Sequence, residues 1–274
     1  MKRMLSSAAA AVFAMLAAIL AADATPNGLK RMYVLDCGRL LAKDQSRWTP
    51  GVNAGQPREL SNNCYLLQHA RGMLLWETGV PDSVAEQKDG VTSPNGALVW
   101  FRDKTLTGQL ESLGVKPNDI TYVAISHTHG DHIGNATAFA KSKILIQKLE
   151  HASAMNATPK PFSDDQNVEL LSGDRDVFGD GSVTIISTPG HTPGHQSLLV
   201  KLPKTGALVL TGDLVHFSYM WENKIVPPFN FNKQQSLASI ERVVELVARH
   251  KAQLWIGHDT DITARIDRAP KFYE

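Results

Sequence analysis

The sequence predicts an α/β fold in which two β-sheets pack face to face with helices outside. Short apolar runs that are typical of strands fall into two groups, and helical patterns follow each group. Hairpin-type turns join several of these runs, so the chain lacks strict strand–helix–strand alternation. Such an order favours packed sheets with outer helices. Because no change in composition marks a boundary, residues 25–274 are predicted to form one domain.

Residues 1–24 have the pattern of a secretory signal peptide. Met1-Lys2-Arg3 is cationic, Leu5 to Leu20 is an Ala-rich apolar stretch, and Ala22-Asp23-Ala24 is a small-x-small cleavage site. This pattern is typical of a bacterial periplasmic or secreted protein whose mature chain begins near Thr25. A retained single-pass membrane anchor is the alternative, because the apolar stretch is almost long enough to span a bilayer.

The charge balance argues against a nucleic-acid partner, and against a membrane partner once the signal is removed. The sequence has 28 Lys and Arg against 27 Asp and Glu, and removal of Lys2, Arg3 and Asp23 leaves 26 of each. A neutral surface lacks the basic footprint that binds nucleic acid or an acidic membrane. The expected partner is a small-molecule substrate, and an oligomer remains possible.

The first half of the chain begins with three predicted strands, Tyr33 to Asp36, Cys64 to His69 and Gly72 to Glu77. The segment from Lys43 to Leu60 is rich in Pro, Gly and polar residues, which predicts a long loop of a kind that is commonly functional. A helix is predicted over Trp100 to Leu113, because Gly114 is a typical C-cap residue and Pro117 follows it.

Further strands and helices are predicted up to the end of the chain. The strands are Ile120 to Ile125, Lys143 to Gln147, Val168 to Leu171, Ser182 to Ser187, Ser197 to Leu202, Ala207 to Leu210 and Gln253 to Ile256. The helices are His132 to Lys141, Leu149 to Met155, and a last one from Asn232 or Ser236 to about His250, whose apolar residues share one face. Gly179-Asp180-Gly181 is a hairpin-type turn between the strands that flank it.

Two cysteines, Cys37 and Cys64, both lie in or beside strand-like runs. An oxidising compartment would allow a disulfide, but only if the two strands are neighbours. The alternative is a pair of buried thiols. Neither cysteine has the spacing of a metal or redox site.

The strongest functional pattern is His127-Thr128-His129-Gly130-Asp131-His132, directly after the predicted strand Ile120 to Ile125. Three imidazoles and a carboxylate within six residues suit a transition metal, above all zinc. In an extended loop His127 and His129 face the same way and can chelate one ion, whereas Asp131 and His132 follow at a turn and can face a second. The ends of three more predicted strands also carry His or Asp, at His191, Asp213 and His258.

This set of motifs resembles the metallo-β-lactamase superfamily over essentially the whole mature chain. The resemblance implies a four-layer αββα sandwich and a dinuclear centre, usually of two zinc ions, at the edge shared by the two sheets. Carried over by motif, the first ion would be bound by His127, His129 and His191. The second would be bound by Asp131, His132 and His258, and Asp213 would bridge both.

Within that superfamily the chain looks like the N-acyl-homoserine lactonases, which quench quorum signals. The similar segments are Tyr33 to Leu40, Asn63 to Leu67, Thr188 to Leu199 and Gly257 to Asp259. The implied reaction is opening of the lactone ring by a hydroxide that bridges the two ions. Three alternatives stay open: a β-lactam hydrolase or bifunctional enzyme, a phosphotriesterase or arylesterase, and a non-catalytic metal-binding protein.

Two residues depart from the pattern of that family. Glu77 replaces the aspartate of an Asp-Thr-Gly motif, which is expected to shift only a hydrogen-bond network. His216 stands where well-known lactonases have a tyrosine that contacts the substrate carbonyl. We expect Asp131 to act as ligand and proton shuttle and His216 to assist the developing oxyanion, both as catalytic residues.

Other histidines and a group of aromatic residues receive less specific predictions. His195 is predicted to be structural or to support a ligand. His69, His151 and His250 are interpreted as surface or capping residues. The aromatic residues in Phe217 to Phe231 either line an acyl-chain site or cover the core.

Overall fold

The computed structural model describes residues 28–156, 160–163 and 165–274. The predicted signal peptide lies outside these residues, and the single domain over 25–274 stays a prediction. The strands are β1 (Leu29–Ala42), β2 (Arg58–His69), β3 (Gly72–Trp76), β4 (Val91–Thr92), β5 (Leu98–Phe101), β6 (Tyr122–Ala124), β7 (Lys143–Gln147), β8 (Val168–Leu171), β9 (Arg175–Asp176), β10 (Val183–Ser187), β11 (Gln196–Leu202), β12 (Gly206–Leu210) and β13 (Gln253–Trp255). The α-helices are α1 (Leu106–Ser112), α2 (Gly130–Ile133), α3 (Lys148–Ala154), α4 (Ser218–Asn223), α5 (Lys233–His250) and α6 (Thr260–Thr263).

The strands form two sheets. One has eight strands in the order β4-β5-β1-β2-β3-β6-β7-β8, and the other has five in the order β13-β12-β11-β10-β9. Strands β3 and β6 are parallel, so their carboxyl ends lie together at one edge. In the second sheet β10, β12 and β13 also run in one direction, since β11 is antiparallel to both β10 and β12. The chain segments that follow these strands carry the predicted ligands.

Burial on both faces of β1 shows how the layers are arranged. Met32 and Val34 pack between the two sheets, whereas Tyr33 and Leu35 point to the outer face, where they join residues of α1. Adjacent residues of a strand face opposite sides, so an uninterrupted apolar run is buried only when both faces are covered. The second sheet is covered in turn by α5 through Ile240. The predicted αββα sandwich is confirmed.

Helix α5 follows the sequence prediction closely. Asn232 is its N-cap, and the side-chain oxygen accepts a hydrogen bond from the Gln235 N–H at 3.0 Å. Such a bond satisfies one of the free amides of the first turn. The helix ends where Lys251 adopts a left-handed conformation with φ 49°. Its buried residues Ile240 and Val243 come from the predicted apolar face.

The helix predicted over Trp100 to Leu113 is wrong in its first half. Residues Leu98–Phe101 form strand β5, in which Trp100 pairs with Leu40 of β1. Helix α1 begins only at Leu106, after the N-cap residue Thr105. The valine, tryptophan and phenylalanine of this segment suit a strand, and a strand partner 60 residues away in sequence leaves no local signal.

The helix predicted over His132 to Lys141 is also interrupted. Helix α2 ends at Ile133, and a separate 3₁₀ turn covers Ala136–Phe139. Between them the Asn135 side-chain amide donates hydrogen bonds to the carbonyl groups of Thr78 and Val80, at 2.6 and 2.8 Å. These bonds tie the chain to the segment after β3 and leave no room for a continuous helix.

The hairpin expected around Gly179-Asp180-Gly181 has a different partner from the predicted one. Strand β8 belongs to the eight-stranded sheet, and β10 pairs instead with the short strand β9.

His69 is buried rather than exposed, and its Nε2 lies 2.8 Å from Asp180 Oδ2. The interpretation of His69 as a surface or capping residue is therefore wrong, because its ring anchors this turn to the end of β2.

The pairing of the two cysteines follows from the pairing of their strands. Strands β1 and β2 are antiparallel neighbours, and Cys37 and Cys64 form a disulfide with a Cα–Cα distance of 5.6 Å. This distance lies in the usual range for a disulfide.

Among the described residues, no helix has the length and apolar character needed to cross a membrane.

Candidate metal centre

The predicted ligands meet where strands of both sheets end. His127 follows β6, His191 follows β10, Asp213 follows β12 and His258 follows β13. All four side chains are buried, with exposed fractions of 5% or less. The carboxyl ends of parallel strands open onto one edge, where loops can aim side chains at a common point.

Within the part of the chain that the structure describes, these side chains form two groups that could each hold a metal ion. The first contains His127, His129, His191 and Asp213, and the second contains Asp131, His132 and His258. In the first, His129 Nδ1 lies 2.8 Å from His127 Nε2 and 3.1 Å from His191 Nε2. In the second, the His132 and His258 Nε2 atoms are 3.3 Å apart, with Asp131 Oδ2 3.7 and 3.6 Å from them.

The carboxylate of Asp213 lies between the two groups. Its Oδ2 is 3.6 Å from His127 Nε2 and 3.3 Å from His191 Nε2. Its Oδ1 is 3.2 Å from His132 Nε2 and 3.1 Å from His258 Nε2. Each oxygen therefore faces one group, as a bridging ligand requires.

The second ring nitrogens of the histidines fix the rings in place. His258 Nδ1 donates to the Ser61 carbonyl at 2.8 Å, and His191 Nδ1 donates to Asn230 Oδ1 at 3.0 Å. A neutral histidine has one N–H, so a neutral ring that donates through Nδ1 presents an unprotonated Nε2 to the centre. A backbone carbonyl or side-chain oxygen on the far nitrogen is the usual support for a metal-binding histidine.

Glu77 gives similar support to the second group. Its Oε2 lies 3.3 Å from His132 Nδ1, and its Oε1 accepts the Ser126 N–H at 3.2 Å. Glu77 adopts a positive φ of 67°, which is unusual for a residue with a side chain and turns the carboxylate toward the site. Its position agrees with the expected role in a hydrogen-bond network.

The charges of the site call for a cation. Burial holds the pKa of His127 and of His191 well below the ordinary value, so both are neutral. Burial alone would raise the pKa of Asp213, but the imidazoles around it, first His258 and then His132, hold it well below its ordinary value. Burial would lower the pKa of His132, yet Asp213 and Glu77 raise it well above normal. Burial would likewise lower the pKa of His258, yet Asp213 raises it, so the buried carboxylates favour positive charge at the second group.

The donor set fits a metal ion. Asp213 Oδ1 is buried and has no hydrogen-bond partner among the described residues, although His258 Nε2 is close. His258 Nδ1 already has the Ser61 carbonyl as its partner, so a metal ion between His258 Nε2 and this oxygen would satisfy both atoms. Ligands at about 2.0–2.1 Å from a tetrahedral zinc ion are roughly 3.3 Å apart, and the donor distances above lie around that value.

Two further histidines lie beside these groups. His195 Nε2 accepts the Asp213 backbone N–H at 3.0 Å, and burial lowers the pKa of His195 to about 4. His195 therefore holds Asp213 from behind as a neutral ring. His216 Nε2 lies 3.1 Å from Asp213 Oδ2, and its Nδ1 is a buried atom with no partner in the described part of the chain.

A cavity of about 430 Å³ opens over Asp213 and the two groups. The wall has a polar side at the ligands and an apolar side that includes Trp48, Leu98, Trp100 and Phe229. The Trp48 ring packs edge-on at 5.8 Å from Phe229 and 6.2 Å from His216. Of these aromatic residues, only Phe229 lies in the segment that the sequence predicts as a possible acyl-chain site. Trp48 lies in the long loop that is expected to be functional, but the sequence does not assign it to the site.

In the aromatic segment after Asp213, some residues cover the core and others line the cavity. Phe217 is buried in the core with Ile240 of α5, whereas Phe229 faces the cavity. Tyr219 and Phe231 are exposed. The segment therefore covers the core at its start and lines the site near its end.

The sequence profile of the metallo-β-lactamase superfamily matches residues 57–249 of this chain. The chain belongs to the metallo-β-lactamase superfamily. This match spans most of the chain and includes six of the seven predicted ligands, with His258 lying beyond its end. The expected family is thereby confirmed.

Curated members of the superfamily are similar to the chain over most of its length. An N-acyl homoserine lactonase of Bacillus sp is 32% identical over 243 residues, which cover 85% of this chain and 94% of that protein. The N-acyl homoserine lactonase AttM of Rhizobium radiobacter is 31% identical over 261 residues, covering 89% and 98%. With such relatives the chain is a metal-dependent hydrolase of the superfamily.

A solved structure extends this likeness to the fold. The structure of an N-acyl homoserine lactone hydrolase with N-hexanoyl-L-homoserine at its catalytic metal centre has a TM-score of 0.80. It is 28% identical, and the match covers 89% of this chain and 99% of that one.

Proposed function

We propose that this chain opens the lactone ring of N-acyl homoserine lactones with two zinc ions. The observation that carries the proposal is the carboxylate of Asp213, which offers one oxygen to each of two ligand groups on the floor of a cavity. His127, His129 and His191 would hold the first ion, and Asp131, His132 and His258 the second. The curated lactonases and the product-bound hydrolase support this choice of substrate.

When bound, two zinc ions supply a hydroxide at neutral pH and polarise a carbonyl oxygen. Asp131, a member of the second group, lines the cavity, and its carboxylate can accept a proton from the attacking water and give it to the leaving alkoxide oxygen, which becomes the alcohol. His216 also lines the cavity, and we propose that it steadies the negative charge on the substrate oxygen. The His216 Nε2 atom lies 3.1 Å from Asp213 Oδ2. In the proposed role, His216 would interact with both Asp213 and the substrate oxygen.

The apolar side of the cavity would take the acyl chain. A volume of about 430 Å³ lies within the range of roughly 300–1,000 Å³ common for small-ligand pockets. Trp48, Trp100 and Phe229 offer flat apolar surfaces to an alkyl chain, while the lactone lies toward Asp213.

We further propose that the protein is periplasmic or secreted. The pattern of residues 1–24 supports this location, and so does the disulfide between Cys37 and Cys64. Disulfides persist mainly in oxidising compartments.

The experiment that tests the function compares rates for the purified, zinc-loaded mature protein on three substrates. These are a long-chain homoserine lactone, a cephalosporin and a paraoxon-like phosphotriester. We expect the lactone to be opened far faster than the other two, and removal of zinc with a chelator to abolish the reaction. Faster hydrolysis of the cephalosporin or the phosphotriester would reject the lactone assignment, and activity without metal would reject the mechanism.

The substitution Asp131→Asn tests the proton transfer. Asparagine retains an oxygen at this position but cannot accept a proton, so we expect kcat for the lactone to fall about a hundredfold, within the usual range for general acid–base groups. The measurement is kcat together with bound zinc per chain. Asp89→Asn, at an exposed aspartate, is the matched control and should leave both values unchanged. An Asp131→Asn protein that keeps the wild-type kcat would contradict the role.

A further inference from the structure

Glu150 is a buried carboxylate beside the metal centre that belongs to neither ligand group. It lies in α3 and is 1% exposed. One oxygen, Oε1, accepts hydrogen bonds from the Thr128 N–H and the Thr128 hydroxyl, both at 2.8 Å. The other, Oε2, accepts the Gly194 N–H at 3.0 Å. The carboxylate therefore uses its two oxygens for two different loops.

Both loops carry ligands of the first group. Thr128 lies between His127 and His129, in the loop that follows β6 of the eight-stranded sheet. Gly194 lies in the loop that follows β10 of the five-stranded sheet and contains His191. Glu150 thus connects the two sheets at the point where three imidazoles must meet.

The close approach of these segments restricts what can replace the contact. A Cβ atom added at Gly194 would come within 2.3 Å of the Glu150 backbone nitrogen. Real Cβ atoms do not approach a backbone atom so closely, so the glycine permits the loop to lie against α3. A residue larger than glycine at position 194 would therefore push this loop away from Glu150.

In the described part of the chain, the side-chain hydrogen bonds of Glu150 go to Thr128 and Gly194 and not to the second group. The rings of His132 and His258 are oriented instead by Glu77 and the Ser61 carbonyl. A change at Glu150 should therefore act on one ligand group more than on the other, which a general loss of folding stability would not do.

We propose that Glu150 is a positioning residue that sets the affinity for the ion held by His127, His129 and His191. This inference rests on the proposed metal site, and it adds a residue that holds the site's two loops in register. Hydrogen bonds behind metal ligands commonly orient the ligand side chains, and Glu150 would act on the two loops that carry the ligands.

The test measures zinc binding directly, by competition with a chromophoric chelator in the mature protein. Glu150→Gln keeps the shape but offers one acceptor oxygen and turns an NH₂ group toward the second loop, and Glu150→Ala removes both ties. We expect one of the two zinc affinities to fall by about tenfold to a hundredfold in Glu150→Ala, and by less in Glu150→Gln. The other affinity should change much less, and only through the shared Asp213. Glu245→Ala, at an exposed glutamate of α5 that belongs to neither ligand group, is the control.

The thermal unfolding of the metal-free variants separates positioning from folding. Wild-type zinc affinities in both Glu150 variants would overturn the proposal. So would an equal fall of both affinities, or a failure of both variants to fold without metal, since either would show a general structural role. Lactone hydrolysis by the wild type is measured separately. If the wild type binds zinc but does not hydrolyse lactones, the proposed substrate is rejected and the inference about Glu150 is unaffected.

Discussion

Replacing Asp213 by asparagine should reduce lactone hydrolysis by roughly three orders of magnitude, since metal polarisation supplies several kcal/mol to the transition state. The carboxylate is 4% exposed, and each oxygen lies 3.1–3.6 Å from imidazole nitrogens of a different group. The asparagine side chain has the same shape, but it is uncharged and has one oxygen that can bind a metal where aspartate has two. One of the two ligand groups would therefore face the NH₂ group of the amide in place of a carboxylate oxygen.

The measurement combines kcat/KM for a homoserine lactone with zinc content by elemental analysis. We expect zinc to fall from two ions per chain toward one or none in Asp213→Asn. Asp89→Asn, the same substitution at an exposed aspartate outside both ligand groups, is again the control. Two tightly bound zinc ions and a near-normal rate in the Asp213 variant would show that this carboxylate does not bridge the ions.

Removing the disulfide should lower the free energy of unfolding by about 3.5 kcal/mol, from the chain-entropy relation for a cross-link across this separation. Cys37 and Cys64 are 27 residues apart in sequence, and both are fully buried against the outer helices of the first sheet. The cross-link lies between two strands that are also paired by backbone hydrogen bonds. The folded state therefore keeps its contacts, and the effect falls mainly on the unfolded chain.

Urea denaturation of the double variant Cys37→Ser and Cys64→Ser, compared with the wild type, measures this effect. After reduction of its disulfide, the wild type should have the same free energy of unfolding as the variant. A reductant should not change the free energy of unfolding of the variant. The rate of lactone hydrolysis under folding conditions should change little, because neither sulfur lies in a ligand group. Equal stabilities of wild type and variant would contradict the prediction.

The sequence alone predicted the two candidate ligand groups and determined the family, because both depend on residue identity in short motifs. His127, His129, Asp131 and His132 lie within six residues, and imidazole and carboxylate groups at this density are typical of a metal site. Helix α5 was also predictable, since its N-cap and apolar face are local features. These signals persist whatever the rest of the chain does.

The tertiary structure decided the features that depend on partners far away in sequence. Trp100 is a strand residue because Leu40 pairs with it, and His69 is buried where Asp180, in the turn between β9 and β10, contacts its ring. The loops after β6 and β10 meet across the two sheets at Glu150, which carries no motif in the sequence. Local propensity is weak where strand pairing and buried polar contacts supply more free energy, so such residues acquire their roles only in the folded chain.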